Sequence, residues 1–212
     1  CCDALIKAGI KRVVIAMQDP NPLVVGQGIQ RLKDSSIDVE IGILEQPARE
    51  LNRGFIKRML ENKPFVRCKM AASLDGQTAL ASGESQWISS VYARQDVQRL
   101  RAESSAILTG IGTVLADDPS MTVRDQGFNL IKQPARVIID SQLRLPIKAK
   151  ILQQPGQVHI FTAQKAMSNK ASGIEKVKKI IQTGAQIHVV EHVPSNGLNL
   201  PQILTKLAEL QF

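Results

Sequence analysis

The 212-residue chain has few cysteines, few aromatics and no long apolar run. Its three cysteines, Cys1, Cys2 and Cys68, form no disulfide framework, which points to a reducing compartment and a cytoplasmic protein. Aromatic side chains make up 3% of the residues, and the basic residues are scattered rather than clustered. Both features argue against a stacking platform for nucleic acid. No apolar run approaches the roughly 20 residues a membrane span needs, and no charged-then-apolar leader opens the chain, so no membrane partner is expected. There is no complete G-x-G-x-x-G and no P-loop. Internal repeats and low-complexity tracts are also missing.

The chain does carry a basic balance, 27 Lys+Arg against 19 Asp+Glu for a net charge of +8. Such a charge favours anionic partners, with phosphorylated metabolites ahead of nucleic acid. The apolar share of 43% and the length suit one large domain or one and a half small ones. Strands and helices alternate. "RVVIAM" (12–17), "DVEIGI" (38–43), "AILTG" (106–110), "ARVIIDS" (135–141), "QVHIFTA" (157–163) and "QIHVVEH" (186–192) read as strands. "CCDALIKAG" closed by Gly9, "GIQRLKDS", a run over 46–63, 89–104 with serine at its start, 174–184 and 200–210 read as helices. Leu51, Phe55 and Met59 form an apolar stripe on the 46–63 helix, and Pro64 marks a break after it. "FVRCKMAAS" (65–73) reads as another strand, with Phe65, Arg67, Lys69, Ala71 and Ser73 on one face. The alternation implies an α/β sheet, largely parallel.

In open α/β sheets ligands collect beyond the carboxyl ends of the strands. Three loops leave such ends: 73–89, "TGIGT" (109–113) running into "VLADDPSMTVR" (114–124), and "IDSQLRL" (139–145). Gly110 and Gly112 permit close backbone approach to an anion, and a plain strand-to-helix turn explains them equally well. Asp117 and Asp118 before Pro119 either cap a turn or orient a polar ligand group. Arg94, Gln98 and Arg101 share one helix face, which is either solvated or, if it borders the pocket, a phosphate anchor. Trp87 either packs under its loop or, with Gly76, Gly83 and Ser85, closes over a flat ligand. Cys1 and Cys2 are either fillers or remnants of a metal site.

"KMAASLDGQTALASGESQWIS", "DVQRLRAESSAILTGIGTVLADDPSMTVR" and "RVIIDS", in this order, resemble the bifunctional deaminase–reductase family of riboflavin biosynthesis. The first part, "CCDALIKAGIKRVVIAMQDPNPLVVGQGIQRL" through "LNRGF", looks like the end of that family's deaminase domain. The resemblance implies a dihydrofolate-reductase-like three-layer α/β domain over 64–212, preceded over 1–63 by the C-terminal part of a cytidine-deaminase-like α/β/α domain. It implies NADPH-dependent reduction of the ribosyl group of 5-amino-6-(5-phosphoribosylamino)uracil to the ribityl form, following zinc-dependent deamination of the pyrimidine. It implies cofactor contacts at Ala71 (through its backbone), Trp87, Thr113, Asp117 and Ser141. Substrate contacts are implied at Ser85, Arg101, Met121 and Arg124, the two arginines suiting the substrate phosphate. Lys69 and Asp117 become candidates for polarising or protonating the sugar oxygen. Cys1 takes the place of one zinc ligand.

The family's His-x-Glu and Pro-Cys elements are absent, as is its later Glu-Ala-Gly-Pro strand. The expectation is a fragment truncated at both ends, in which a lone cysteine holds no catalytic zinc. A homo-oligomer is expected from the family's habit. Two other readings stand beside this one: a stand-alone pteridine or pyrimidine reductase of the same fold, and a non-catalytic α/β domain binding a ligand or nucleic acid.

Overall fold

A computed structural model of the chain describes residues 1–125, 127–128, 132–167, 171–194 and 197–212, and for 171–172 the backbone alone. The chain divides into two compact units, Cys1–Arg67 with Leu204–Gln211, and Cys68–Ile203 with Phe212.

The first unit opens with α1 (Cys2–Lys7), followed by β1 (Arg12–Ile15), α2 (Gln27–Asp34) and β2 (Asp38–Ile41). β1 and β2 pair in parallel, Arg12 opposite Asp38 and Ile15 opposite Ile41. Arg12 also pairs with Asp38 and Glu40 across that ladder. The expected single helix over 46–63 is two helices, α3 (Glu45–Leu51) and α4 (Arg53–Glu61). Asn52 breaks it by turning its amide back onto the Ala48 carbonyl at 2.8 Å, the competition with backbone that makes asparagine a poor interior helix residue. The stripe on this segment is not a buried face, since Leu51 is 86% exposed and Phe55 is also exposed.

The second unit holds a four-stranded parallel sheet in the order β3 (Ala106–Gly110), β4 (Ala135–Ile139), β5 (Val158–Ala163), β6 (Gln186–Val190). Helices α5 (Val91–Ala102), α6 (Ile111–Asp117), α7 (Lys150–Gln153) and α8 (Ala171–Gln182) accompany it, and α9 (Leu200–Glu209) starts in this unit and continues in the first. The two central strands are buried almost throughout, as strands covered on both faces are. Ile138 and Ile160 lie opposite one another and pack with Ile111, Val114, Leu145, Ile151 and Ile180 in one core. Each such side chain contributes about 1.5–3 kcal/mol through burial. His159 and Phe161 occupy the other face, with His188 stacked against both and Phe212 meeting the His159 ring edge-on.

The run 186–192 splits into β6 and a two-residue strand β7 (His192–Val193), which pairs antiparallel with β8 (Gly197–Leu198). The expected strand over 65–73 does not form. A strand exists only through a neighbour that takes its backbone hydrogen bonds. Residues 65–72 have no such ladder among the described residues, and Phe65, Val66 and Met70 are exposed.

Candidate functional site

The most tightly built cluster of expected site residues sits on α5 and the segment after α6. Ser90 starts α5 as its N-cap, its Oγ accepting from the Ala93 N–H at 3.2 Å. Starting the helix there puts Arg94, Gln98 and Arg101 on one face, and all three are engaged. Arg94 donates to the Ser89 carbonyl at 2.6 Å and lies over the Trp87 ring at 4.3 Å. Arg101 donates to the Thr122 carbonyl at 2.9 Å and reaches Met121 Sδ at 3.8 Å. Gln98 Oε1 accepts from the Arg124 N–H at 2.9 Å. Three of the four expected substrate residues, Arg101, Met121 and Arg124, are thus brought together. The Arg101 guanidinium has its pKa pushed down, first by burial and then by the charge of Arg124. Two cations drawn together, one of them partly desolvated, favour an anion between them. Met121 takes a left-handed backbone (φ 51°), a conformation uncommon outside glycine and asparagine, and the Arg101 contact lies against its sulfur.

A second group lies at the carboxyl ends of β3 and β4. The register sets Gly110 opposite Ile139, so α6 and the loop after β4 leave the sheet side by side. Thr113 in the first turn of α6 and Asp117 at its end are both exposed. Ser141 is half-buried, its carbonyl accepting from the Ala163 N–H at 3.4 Å. A Cβ built on Gly110 or Gly112 would meet nothing within 4 Å, so open space borders the backbone there. Asp118, not Asp117, makes the local contacts. It closes α6 with φ 40° and accepts from the Lys150 N–H at 2.8 Å, while the Asp117 side chain is exposed.

Asp140, passed over in favour of its neighbour Ser141, is fully buried. Its Oδ2 accepts from the Leu145 N–H at 2.8 Å and so ties down the loop that carries Ser141. Its Oδ1 and the Thr162 hydroxyl, at the end of the next strand, have no partner among the described residues. Gln133 also went unremarked in the sequence, where a lone glutamine before a proline carries no signal.

The third group, Lys69, Ala71, Ser85 and Trp87, lies on 65–90. Lys69 is exposed and makes no hydrogen bond or ion pair among the described residues. Ala71 is half-buried and Ser85 exposed. Trp87 is 70% exposed, its ring occupied by Arg94 rather than packed in a core. The opening of this loop is a turn built locally. The Ser73 hydroxyl bonds Asp75, the Gly76 N–H donates to the Ser73 carbonyl at 2.9 Å, and Gly76 has φ 83°. The Ser73 hydroxyl bond and adjacent backbone N–H groups hold the Asp75 carboxyl below its ordinary pKa. A second turn returns the Leu80 N–H to the Glu84 carbonyl at 2.8 Å, with Gly83 at φ 87°. No hydrogen bond joins Lys69, Ala71 or Ser85 to the other two groups among the described residues.

Hydroxyls at 113 and 141 and open glycine backbone lie at the strand ends, and groups of this kind suit a dinucleotide. Zinc does not fit. Cys1 is an exposed free thiol, and no set of three His, Cys, Asp or Glu side chains able to hold a metal exists among the described residues. No helix among them is long and apolar enough to cross a membrane.

Comparison with known proteins gives a consistent picture. Residues 64–212 match the model of the RibD C-terminal domain. The riboflavin biosynthesis protein RibD of Escherichia coli strain K12 is 52% identical over 174 residues, 77% of this chain and 47% of that protein. Among solved structures, Acinetobacter baumannii RibD superposes with a TM-score of 0.85 at 42% identity, covering 100% of this chain and 55% of that one. A Thermotoga maritima diaminohydroxyphosphoribosylaminopyrimidine deaminase/5-amino-6-(5-phosphoribosylamino)uracil reductase gives 0.81 at 31% identity, covering 99% of this chain and 54% of that one. The chain therefore spans about half the length of these relatives.

Proposed function

Since the chain belongs to the RibD C-terminal domain family, we propose that it supplies the reductase part of a riboflavin-biosynthesis enzyme. The reaction is NADPH-dependent reduction of the ribosyl group of 5-amino-6-(5-phosphoribosylamino)uracil to the ribityl form. Residues 64–212 are read as the reductase domain and 1–63 as the C-terminal part of a deaminase domain. Zinc-dependent deamination is assigned to the parent protein and not to this chain, where Cys1 belongs to no metal-binding set among the described residues. The partner is a phosphorylated aminopyrimidine.

The observation that carries this reading is the convergence of Arg101, Met121 and Arg124, which brings two cations together on one segment. Arg101 and Arg124 bind the substrate phosphate, a dianion that a pair of guanidinium groups matches in charge and shape. NADPH supplies the hydride. Thr113, Asp117 and Ser141 hold it by hydroxyl and carboxylate, Ala71 through its backbone, and Trp87 by its ring face. Ser85 orients the substrate. Lys69, which has no hydrogen bond or ion pair among the described residues, polarises or protonates the sugar oxygen as it gains charge, with Asp117 assisting.

The test is NADPH oxidation by the full-length protein with the aminopyrimidine phosphate as substrate, under reducing, metal-replete conditions. Oxidation dependent on both reactants is expected, and none would refute the reading. Within the same assay, Lys69→Ala should lower turnover at least tenfold with NADPH affinity nearly unchanged. Equal loss of both would remove Lys69 from the chemistry.

A further inference from the structure

Residues 122–124, which separate and carry the expected substrate residues Met121 and Arg124, form no strand, yet each of the three has a backbone group held by a different side chain. Arg101 donates to the Thr122 carbonyl at 2.9 Å. Gln98 accepts from the Arg124 N–H at 2.9 Å. Gln133 makes two bonds to one residue: its Oε1 accepts from the Val123 N–H at 2.9 Å, and its Nε2 donates to the Val123 carbonyl at 3.0 Å. A single side-chain amide thus replaces the paired donor and acceptor that a neighbouring strand would offer.

Gln133 is itself seated from behind. A Cβ on Gly156 would approach the Gln133 Cβ at 3.4 Å, and the positive φ of Gly156 (104°) bars most side chains there. The turn bearing Gly156 is gripped by the buried Arg136 guanidinium, which donates to the carbonyls of Gln154, Pro155 and Gly156 at 2.8–2.9 Å.

We propose that Gln133, with Gln98 as its counterpart on α5, is a positioning residue for the phosphate-binding arginine pair. Gln133 clamps Val123 from one side and Gln98 clamps Arg124 from the other. Between them they fix the direction in which the exposed Arg124 side chain leaves the backbone, close to Arg101. Neither amide touches the substrate. Without the clamps, Arg124 keeps its charge and loses its bearing, and the repulsion from Arg101 drives the two guanidinium groups apart. The identity of the anion rests on the proposed function; the clamp geometry does not.

The inference is tested by calorimetric binding of inorganic phosphate to this chain and to Gln133→Ala, Gln98→Ala, Arg124→Ala and the double variant Gln133→Ala/Arg124→Ala. KM for the phosphorylated substrate and affinity for NADPH are measured on the full-length protein alongside. Gln133→Ala should weaken phosphate binding about tenfold, raise KM by a similar factor and leave NADPH affinity within twofold. The double variant should bind no worse than Arg124→Ala alone, because Gln133 acts through Arg124. Unchanged phosphate affinity, additive losses in the double variant, or no phosphate binding by the parent chain would each overturn the inference. If Gln133→Ala fails to fold, Gln98→Ala, at a half-buried position of a capped helix, decides by the same criteria. If the full-length protein oxidises no NADPH while the phosphate results hold, the proposed reaction falls and the positioning role stands.

Discussion

The buried histidine His159 shows how a single residue sets the conditions under which the second unit holds together. Its ring is 2% exposed, and its Nδ1 lies 3.0 Å from His188 Nε2. Burial first, then the neighbouring charges of His188 and Lys132, push its pKa down to about 4. In the unfolded chain an imidazole binds its proton near 6.5. Between these values the unfolded state holds more protons, so stability rises with pH. The contribution is complete above pH 6.5 and is lost as the pH falls toward 4, on the order of 3 kcal/mol over that window. Thermal unfolding between pH 7 and 4.5 should show a falling midpoint, and His159→Gln should flatten the curve. An unaltered slope in the variant would assign the acid sensitivity elsewhere. Such a residue is hidden in the sequence, where His159 is one polar letter inside "QVHIFTA". Gln133 is hidden for a related reason: an amide that stands in for a strand has no period and no motif. Arg101, Met121 and Arg124 were legible only because the motifs around them resemble those of a known family.

Elements were legible where they obey a period or carry a cap. The four strands of the parallel sheet and helices α5 and α9 fall within the expected segments, and α8 begins three residues before its own. Ser90 was readable as a helix start because a hydroxyl at that point satisfies an otherwise free N–H. The failures have physical causes too. Residues 65–73 have the composition of a strand, but composition supplies no partner. Residues 46–63 have a helical stripe, but Asn52 offers the backbone another hydrogen bond. These differences predict an uneven resistance to opening. Amide exchange should be slowest in β4 and β5, whose residues are almost all buried, and fastest across 68–90, whose bonds are local turns. Peptides from 68–90 protected as long as those from β4 would contradict this.

At the scale of the whole molecule, two compact units share one chain, and the site residues divide unevenly between them. Only Cys1 belongs to the first unit; every other candidate from Lys69 to Ser141 belongs to the second. On the proposed function, the net charge of +8 would favour the approach of a phosphorylated substrate, and the arginine pair would convert that general attraction into a specific grip. The parallel sheet positions Thr113, Asp117 and Ser141, while α5 and the segment 121–124 bring Arg101, Met121 and Arg124 together. Lys69, Ala71, Ser85 and Trp87 come from the segment with the least regular structure. One consequence concerns the loop that carries Trp87. This is the only tryptophan in the chain, it is largely exposed, and its ring faces the Arg94 guanidinium. The ultraviolet emission of the protein excited at the indole band therefore has a single source. Its colour and intensity follow the solvation of one side chain and its separation from one cation, a built-in optical probe that needs no label and no other tryptophan removed.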